Sequence, residues 1–501
     1  MKLKYILSLA VVASTVATGC KKDFLEKKPT QLISGDQLID ASKQDPSLLN
    51  GNIAGLYTTM FTPAVGGTTG HDDFGQKGID IYTDMLCSDM VLGALNYGWY
   101  SNLVRYQATI DFTRNENYVP WRYYYRQIFG ANTIIDALGG TTVTPPTATA
   151  KYIMGQAKAM RAYAYFYLTQ LYGGDYGDGS TKILPIYKDT KVPNQPKSTA
   201  KAVFDLMISD LNDAITLLDG FDRLGSKDKV NKDVAKGLLA YVLATRGTQA
   251  DWTQVLSITQ DIMSAYPKTT KGATVAVMNG TVVTNPESGF NNVATPSWMW
   301  GVDLTIASGI DLISWWGQVD YYTYSYAYAG DRKLIDKGLY DAIRADDIRK
   351  KQFSSTAFMP LYKFFDPGRV PGGQRQVITD LVYMRSDEFY LLNAEANARL
   401  GQDGAARTTL TSFLGNGDRI ADVSYINALA GQALLNEIYF QTRVEFWGEG
   451  KSYLAMKRNK ATITRGSNHL FFAGQSFPYN DPKLTFSIPQ AEVNNNPVLN
   501  N

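Results

Sequence analysis

Apolar residues recur every three or four positions through most of this chain, the spacing of helices that bury one face. Residues 151–172 show it best: Ile153, Ala157, Met160, Ala164, Leu168 and Leu171 share a face, and Gly173-Gly174 ends the run. The same pattern predicts helices over 36–60, capped by Ser34 or Asp36, and over 121–138, closed by Gly139-Gly140. Further helices are predicted over 200–218, 232–247, 252–266, 386–400, 405–414 and 432–457. Residues 141–150, rich in Thr and Pro, read as a connector. Several neighbours fit antiparallel hairpins of the tetratricopeptide kind, although no strict 34-residue period runs through them. Residues 272–328 break the pattern. They are rich in Val, Thr, Gly and Asn and poor in charge, and they predict short strands and loops, where binding sites often lie.

The first residues change the charge and cysteine arithmetic. Lys2 and Lys4 precede a thirteen-residue apolar run, 5–17, too short to span a membrane, and Ala17-Thr18-Gly19-Cys20 follows. This is the anatomy of an export signal, and a cysteine directly after small residues resembles a bacterial lipobox, with Ala17 in place of the usual leucine. Cleavage after residue 19 would make Cys20 a lipid anchor. The whole chain has 49 basic and 47 acidic residues. Without Lys2 and Lys4 the balance is 47 to 47, which excludes a protein held on nucleic acid by phosphate neutralisation. Cys87 is then the only other thiol and reads as a small buried hydrophobe, so no disulfide scaffold or zinc cluster is expected. The reading divides the chain into a signal (1–19), a lipidated linker (20–35), a helical region (36–271) and a second region with aromatic loops (272–501).

Five segments carry a family likeness. The helix AKAMRAYAYFYLTQLYGG around Arg161 resembles the opening helix of the SusD/RagB family, with its Arg-Ala pair, spaced aromatics and closing Tyr-Gly. Phe24-Leu25 and Pro29 resemble the family's start after its anchor cysteine. RSDEFYLLNAEANARLG, 385–401, resembles its Ala-Glu-Ala helix. NEIYFQTRVEFWGEGKSYLAMKR, 436–458, resembles its late helix through Glu445, Glu449, Gly450 and Met456-Lys457-Arg458, with Ser452 and Ala455 where Arg and Asp are usual. FSIPQAEVNNNP resembles its Ile-Pro…Asn-Pro close, and residues 174–182 extend the loop after Tyr172. The resemblance implies a mostly α-helical fold of tetratricopeptide-like pairs, an α-α superhelix with irregular loop-rich and short-strand insertions. It implies a surface-exposed outer-membrane lipoprotein of Bacteroidota that binds nutrient glycans without cleaving them. Such a protein would pass them to a TonB-dependent SusC-like channel. Peptide capture of the RagB kind is the alternative, and a lipid-anchored glycosidase with two opposed carboxylates is a further one.

Candidate ligand contacts follow from the aromatics. Trp298, Trp300, Trp315 and Trp316 fall within nineteen residues, and Tyr321, Tyr322, Tyr324, Tyr326 and Tyr328 follow with no Lys or Arg before Gly330. Flat rings stack on the C–H faces of sugars while edge groups bond the hydroxyls. Trp315, Trp316, Tyr321, Tyr322 and Tyr324 are therefore the expected platform, and Asp320 a polar partner beside Asp303, Asp311 and Gln318. The alternation after Tyr322 predicts a strand with one aromatic face. Trp298 and Trp300 alternate as on a strand with at least one facing the core. A second candidate is the turn 96–102, with Trp99 and Asn102 among Asn, Gly, Tyr and Ser. Trp121 to Arg126 lie on a helix, and their rings are expected to pack.

Other chemistry is thin. His71 and His469 are the only histidines, and His71-Asp72-Asp73 reads as an exposed polar loop. Asp175 and Asp178 read as turn residues without EF-hand spacing, which leaves a structural calcium open and no cofactor expected. Glu445 and Glu449, one turn apart, are expected to serve structure beside Arg443 and Lys451.

Overall fold

The computed structural model describes residues 35–279, 282–284, 290–415 and 417–500. Cys20, the signal and nearly all of the linker lie outside the described residues. The main helices are α1 (Asn50–Thr58), α2 (Gln76–Leu86), α3 (Asn115–Ala137), α4 (Ala148–Leu168), α5 (Ala200–Leu217), α6 (Lys232–Arg246), α7 (Gln249–Ala265), α8 (Asp387–Arg399), α9 (Asp403–Leu414), α10 (Gly431–Glu445) and α11 (Ser452–Asn459). Helices α3 to α7 pack each against the next, α7 then packs on α8, and α8 on both α9 and α10. The result is the expected mostly α architecture of stacked helix pairs. Local chemistry sets the starts: Thr147, Thr199 and Asn231 accept backbone N–H bonds as N-caps of α4, α5 and α6, and Thr248 with Asp251 forms a reciprocal capping box on α7.

Two predicted helices are interrupted, each for a visible reason. Within 36–60 the helix stops at Gln44, because Asp45 caps a separate turn, Pro46–Leu49, by accepting the Ser47 N–H at 3.0 Å. Within 432–457 the break covers Phe446 to Lys451. Gly448 and Gly450 adopt φ of 82° and 72°, and Asp84 accepts both of their N–H groups. A Cβ at Gly450 would stand 2.6 Å from the Asp80 carboxylate, so the turn is closed to larger residues.

The strands are short and pair in twos. β1 (Met90–Leu92) runs antiparallel to β3 (Lys333–Ile335), with Leu92 opposite Lys333 and Met90 opposite Ile335. β2 (Trp298–Val302) pairs with β4 (Leu381–Arg385), setting Trp298 opposite Arg385. Trp298 and Trp300 are both buried, as is Met299 between them, so both faces of this strand are covered, and its register shifts twice along the pair. Three of the four tyrosines of α4 (Tyr163, Tyr165 and Tyr167) are buried, as are Trp121, Tyr123 and Tyr124 of α3. Much of the high tyrosine content is therefore core.

Arg385 anchors a buried ionic cluster. Its guanidinium meets Glu449, Glu445 and Asp387, each at 2.8 Å. Arg349 and Arg419 also reach Glu445, at 3.0 and 3.1 Å, and Lys363 reaches Glu449 at 2.9 Å. Glu445 and Glu449 thus serve structure, but their partners are these residues: Arg443 pairs with Asp89 and Lys451 with Glu388.

Candidate functional site

The β1–β3 pair determines where the aromatics meet. The chain leaving β1 and the chain entering β3 emerge at the same end, and the Gly93 N–H extends the ladder to Arg332 O at 2.8 Å. The turn after β1 and the tyrosine run before β3 are more than 200 residues apart in sequence, yet they pack together there. Asp331 fixes the junction: its two carboxylate oxygens accept the backbone N–H groups of Asn96 at 2.7 Å and Tyr97 at 2.9 Å. Gly98 and Tyr100, with φ of 80° and 66°, complete the turn and expose Tyr97 (54%).

An aromatic cluster fills the junction. Trp99 stacks on His71, centroids 4.8 Å apart and planes 6° from parallel. Tyr326 stands edge-on to Tyr97 at 5.0 Å and to His71 at 5.8 Å, and its hydroxyl bonds His71 Nδ1 at 2.6 Å. Burial lowers the pKa of His71, so the imidazole is neutral at pH 7 and the cluster uncharged. Behind it, Gln318 donates to the His71 carbonyl at 2.7 Å and accepts from Lys333 at 2.9 Å. Burial, opposed by Asp331 and Asp72, brings the Lys333 ammonium down to about 7. Asp72, which accepts the Tyr82 hydroxyl at 2.6 Å, is pushed up to about 6 by burial.

A second aromatic group lies on the same run. Tyr321 is edge-on to Tyr322 at 5.5 Å and 5.7 Å from Tyr328, which is 49% exposed. Tyr324, 43% exposed, carries Arg375 at 5.3 Å from its ring, and Arg375 pairs with Asp311 at 2.8 Å. Arg369 covers Tyr322 at 4.1 Å and donates to its hydroxyl.

These positions correct much of the predicted platform. Trp315 and Trp316 are 2% and 1% exposed and belong to the core. Ser314 caps the short helix Trp315–Val319, and Gly317 lies so close to Leu312 that a Cβ there would stand 2.0 Å from the Leu312 oxygen. That contact turns both indoles inward, Trp315 onto Phe364 at 4.5 Å. Asp320 is fully buried. Its oxygens accept the N–H groups of Tyr322 (3.0 Å) and Asp366 (3.1 Å), and burial raises its pKa to about 7, so it shapes the loop and does not face solvent. Residues 321–328 form turns joined by one bridge, Thr323 to Gln374, where a strand was expected. Asn102 is half-buried and donates to Glu116 at 2.7 Å. Asp72 and Asp73 are buried, not exposed, and Asp73 staples its loop by accepting the N–H groups of Gly66 and Thr68. Trp99, Tyr321 and Tyr322 are half-buried and Tyr324 is exposed. His71, Asp331 and Lys333 had no signal in spacing, because a pairing of three-residue strands brings them in.

Cys87 is buried, as expected. Among the described residues no group of three or more His, Cys, Asp or Glu side chains is placed to hold a metal ion. Among the same residues no helix is long and apolar enough to cross a membrane.

Two family models match the chain. One, described as starch-binding and associating with the outer membrane, covers residues 68–242; the other, the SusD family, covers residues 320–501. A SusD-like protein of Bacteroides ovatus is 29% identical over 246 residues, 48% of this chain and 39% of that relative. The chain thus matches well under half the length of that relative. Among solved structures, a SusD-like carbohydrate binding protein from Bacteroides vulgatus superposes with a TM-score of 0.72 at 22% identity, over 90% of this chain and 96% of the other. Surface glycan-binding protein A from Bacteroides thetaiotaomicron superposes with a TM-score of 0.64 at 15% identity, over 90% and 97%. With a family match in each half and a stacked-helix fold shared along its length, the chain belongs to the SusD/RagB family.

Proposed function

We propose that this protein is a non-catalytic, glycan-binding lipoprotein of the outer-membrane surface, anchored through Cys20, that delivers oligosaccharides to a TonB-dependent SusC-like channel. The observation that carries the binding role is the uncharged cluster of His71, Tyr97, Trp99 and Tyr326, with Tyr324 and Tyr328 exposed on the adjoining loop. Trp99 is held rigid by its stack on His71, and Tyr97 by the Asp331 bonds to its turn. Rings fixed before the ligand arrives lose little conformational freedom on binding. The outer-membrane setting and the polysaccharide class are supported by the family description, and the carbohydrate class by the names of the structural neighbours.

The test is calorimetry and affinity electrophoresis of the mature, unlipidated protein against panels of neutral oligosaccharides and peptides. Each stacked ring contributes about 1 kcal/mol, so Tyr97→Ala with Trp99→Ala is expected to weaken the best glycan about thirtyfold. Glycan binding unchanged in that variant would overturn the site. Peptide binding with no glycan binding would overturn the function.

A further inference from the structure

Helix α4 ends in a π-helical turn, Thr169–Gly173, and the chain leaves it through Gly174 with φ of 70°. The loop that follows closes one side of a recess of about 150 Å³. The last turns of α6 and α11 close the other, bringing Arg246, Lys457, Arg458 and Lys460 to its wall against a single carboxylate, Asp175.

Basic residues in the last turn of a helix are ordinarily explained by the helix dipole. Three of these four stand in such a turn, and carboxylates hold two of the three. Arg246 is clamped by Asp251 at 2.5 and 2.9 Å, and Arg458 by Glu395 at 2.8 and 3.0 Å. Glu395 is shared with Arg399. Lys460 lies 3.7 Å from Asp175, a carboxylate that also accepts the Tyr479 hydroxyl at 2.6 Å. Lys457 is different. Its side chain is half-buried, and the ammonium donates to the Thr485 hydroxyl at 2.5 Å and lies 5.4 Å from the Tyr453 ring. Among the described residues no carboxylate comes within ion-pair distance of it. The recess is thus lined by four cations and one carboxylate, and of the four only Arg246 and Arg458 are held by carboxylates outside it. The dipole of a helix end is a weak partner for a charge, and a partly desolvated cation without a counter-ion is unfavourable.

We propose that this recess binds a small oxyanion, the phosphate, sulfate or carboxylate group of a ligand, with Lys457 as the central charge partner and Lys460 at the rim. The titration of Lys457 supports the geometry: burial, opposed by Asp175, brings the ammonium down to about 8. Arg246, Arg458, Lys460, Asp175 and Tyr176 line the recess with it, Tyr453 lies beneath its ammonium and Tyr479 bonds Asp175. A bound oxyanion favours the charged ammonium, so binding at pH 8 takes up a proton and affinity falls as pH rises past 8.

The experiment is calorimetry on the whole mature protein with inorganic phosphate, inorganic sulfate and a monosaccharide sulfate. It is run at pH 7 and 9, and at pH 8 in two buffers of different ionisation enthalpy. The expected result is binding at pH 7 that weakens about tenfold by pH 9 with proton uptake at pH 8. Lys457→Met should lose it, and Lys457→Arg should keep it without the pH dependence. Binding of the free ions marks a site for a free anion, whereas binding of the sugar sulfate alone marks a site for a substituent on a glycan. No binding of any of the three, or binding unchanged in Lys457→Met, would overturn the proposal. Glycan affinity at the aromatic cluster should be untouched by Lys457→Met, so this proposal and the glycan-binding reading fail separately.

Discussion

Replacing Glu445 with Gln tests whether the buried ionic cluster, whose members all lie between residues 347 and 449, stabilises the second half of the chain. Arg349, Arg385, Arg419 and Lys363 face Asp347, Asp387, Glu445 and Glu449, four charges of each sign, all nearly inaccessible. Glu445 accepts from all three guanidinium groups, so Glu445→Gln removes almost no volume and leaves one buried positive charge uncompensated. Breaking a buried pair in this way costs about 3–5 kcal/mol. At about 2.1 cal/mol/K of unfolding entropy per residue, a chain of this length changes stability by about 1 kcal/mol per degree near its midpoint. Differential scanning calorimetry at pH 7 should therefore show Tm lowered by about 3–5 °C. Removing a cation as well, Glu445→Gln with Arg349→Met, restores the balance and should recover part of the loss. The pH dependence follows from the carboxyl. Burial raises its pKa, but Arg419, Arg385 and Arg349 outweigh that and hold it well below the usual carboxylate range. A depressed folded pKa contributes stability above the unfolded value of 4.5 and loses it as pH falls below. The gap between wild type and Glu445→Gln should accordingly narrow below about pH 4.5. A Tm change under 1 °C, or a double variant whose losses merely add, would refute the reasoning.

Three further outcomes follow from the site. Trp315→Ala should destabilise the protein by about 3–5 kcal/mol, as large cavities do, and leave glycan affinity unchanged in the folded fraction; denaturant titration and calorimetry read the two effects apart. Asp331→Ala removes both bonds that hold the Tyr97 turn and should weaken glycan binding several-fold, with most of the change in the dissociation rate, measured by surface plasmon resonance. Lys333→Met removes a buried ammonium whose folded pKa, about 7, lies below its unfolded 10.5. Between those values the unfolded chain binds the extra proton and wild-type stability rises with pH, so the advantage of Lys333→Met should be largest at pH 7 and fade by pH 10 in urea titrations.

How far the sequence reveals this protein depends on the distance over which each feature is decided. Helices α4 to α9 were legible because a period of 3.6 and a capping residue are local. The break at Gly448 and Gly450 was not, because two glycines inside a helical pattern become a turn only when Asp84, over 350 residues away, accepts their N–H groups. The site divides the same way. The turn at Trp99 and the tyrosine run were each marked as candidates, but their meeting depends on two three-residue strands, too short to predict and too far apart to pair by eye. The indoles of Trp315 and Trp316 were misplaced for a different reason. An uncharged aromatic run marks side chains that lose water, and a core and a binding platform remove water alike. What separates them is backbone direction: Ser314 starts a helical turn that buries two rings, while Gly98 and Tyr100, at positive φ, start one that leaves Tyr97 outside. Exposed aromatics in this fold are thus better sought beside turns that left-handed residues force outward than where aromatic residues are densest.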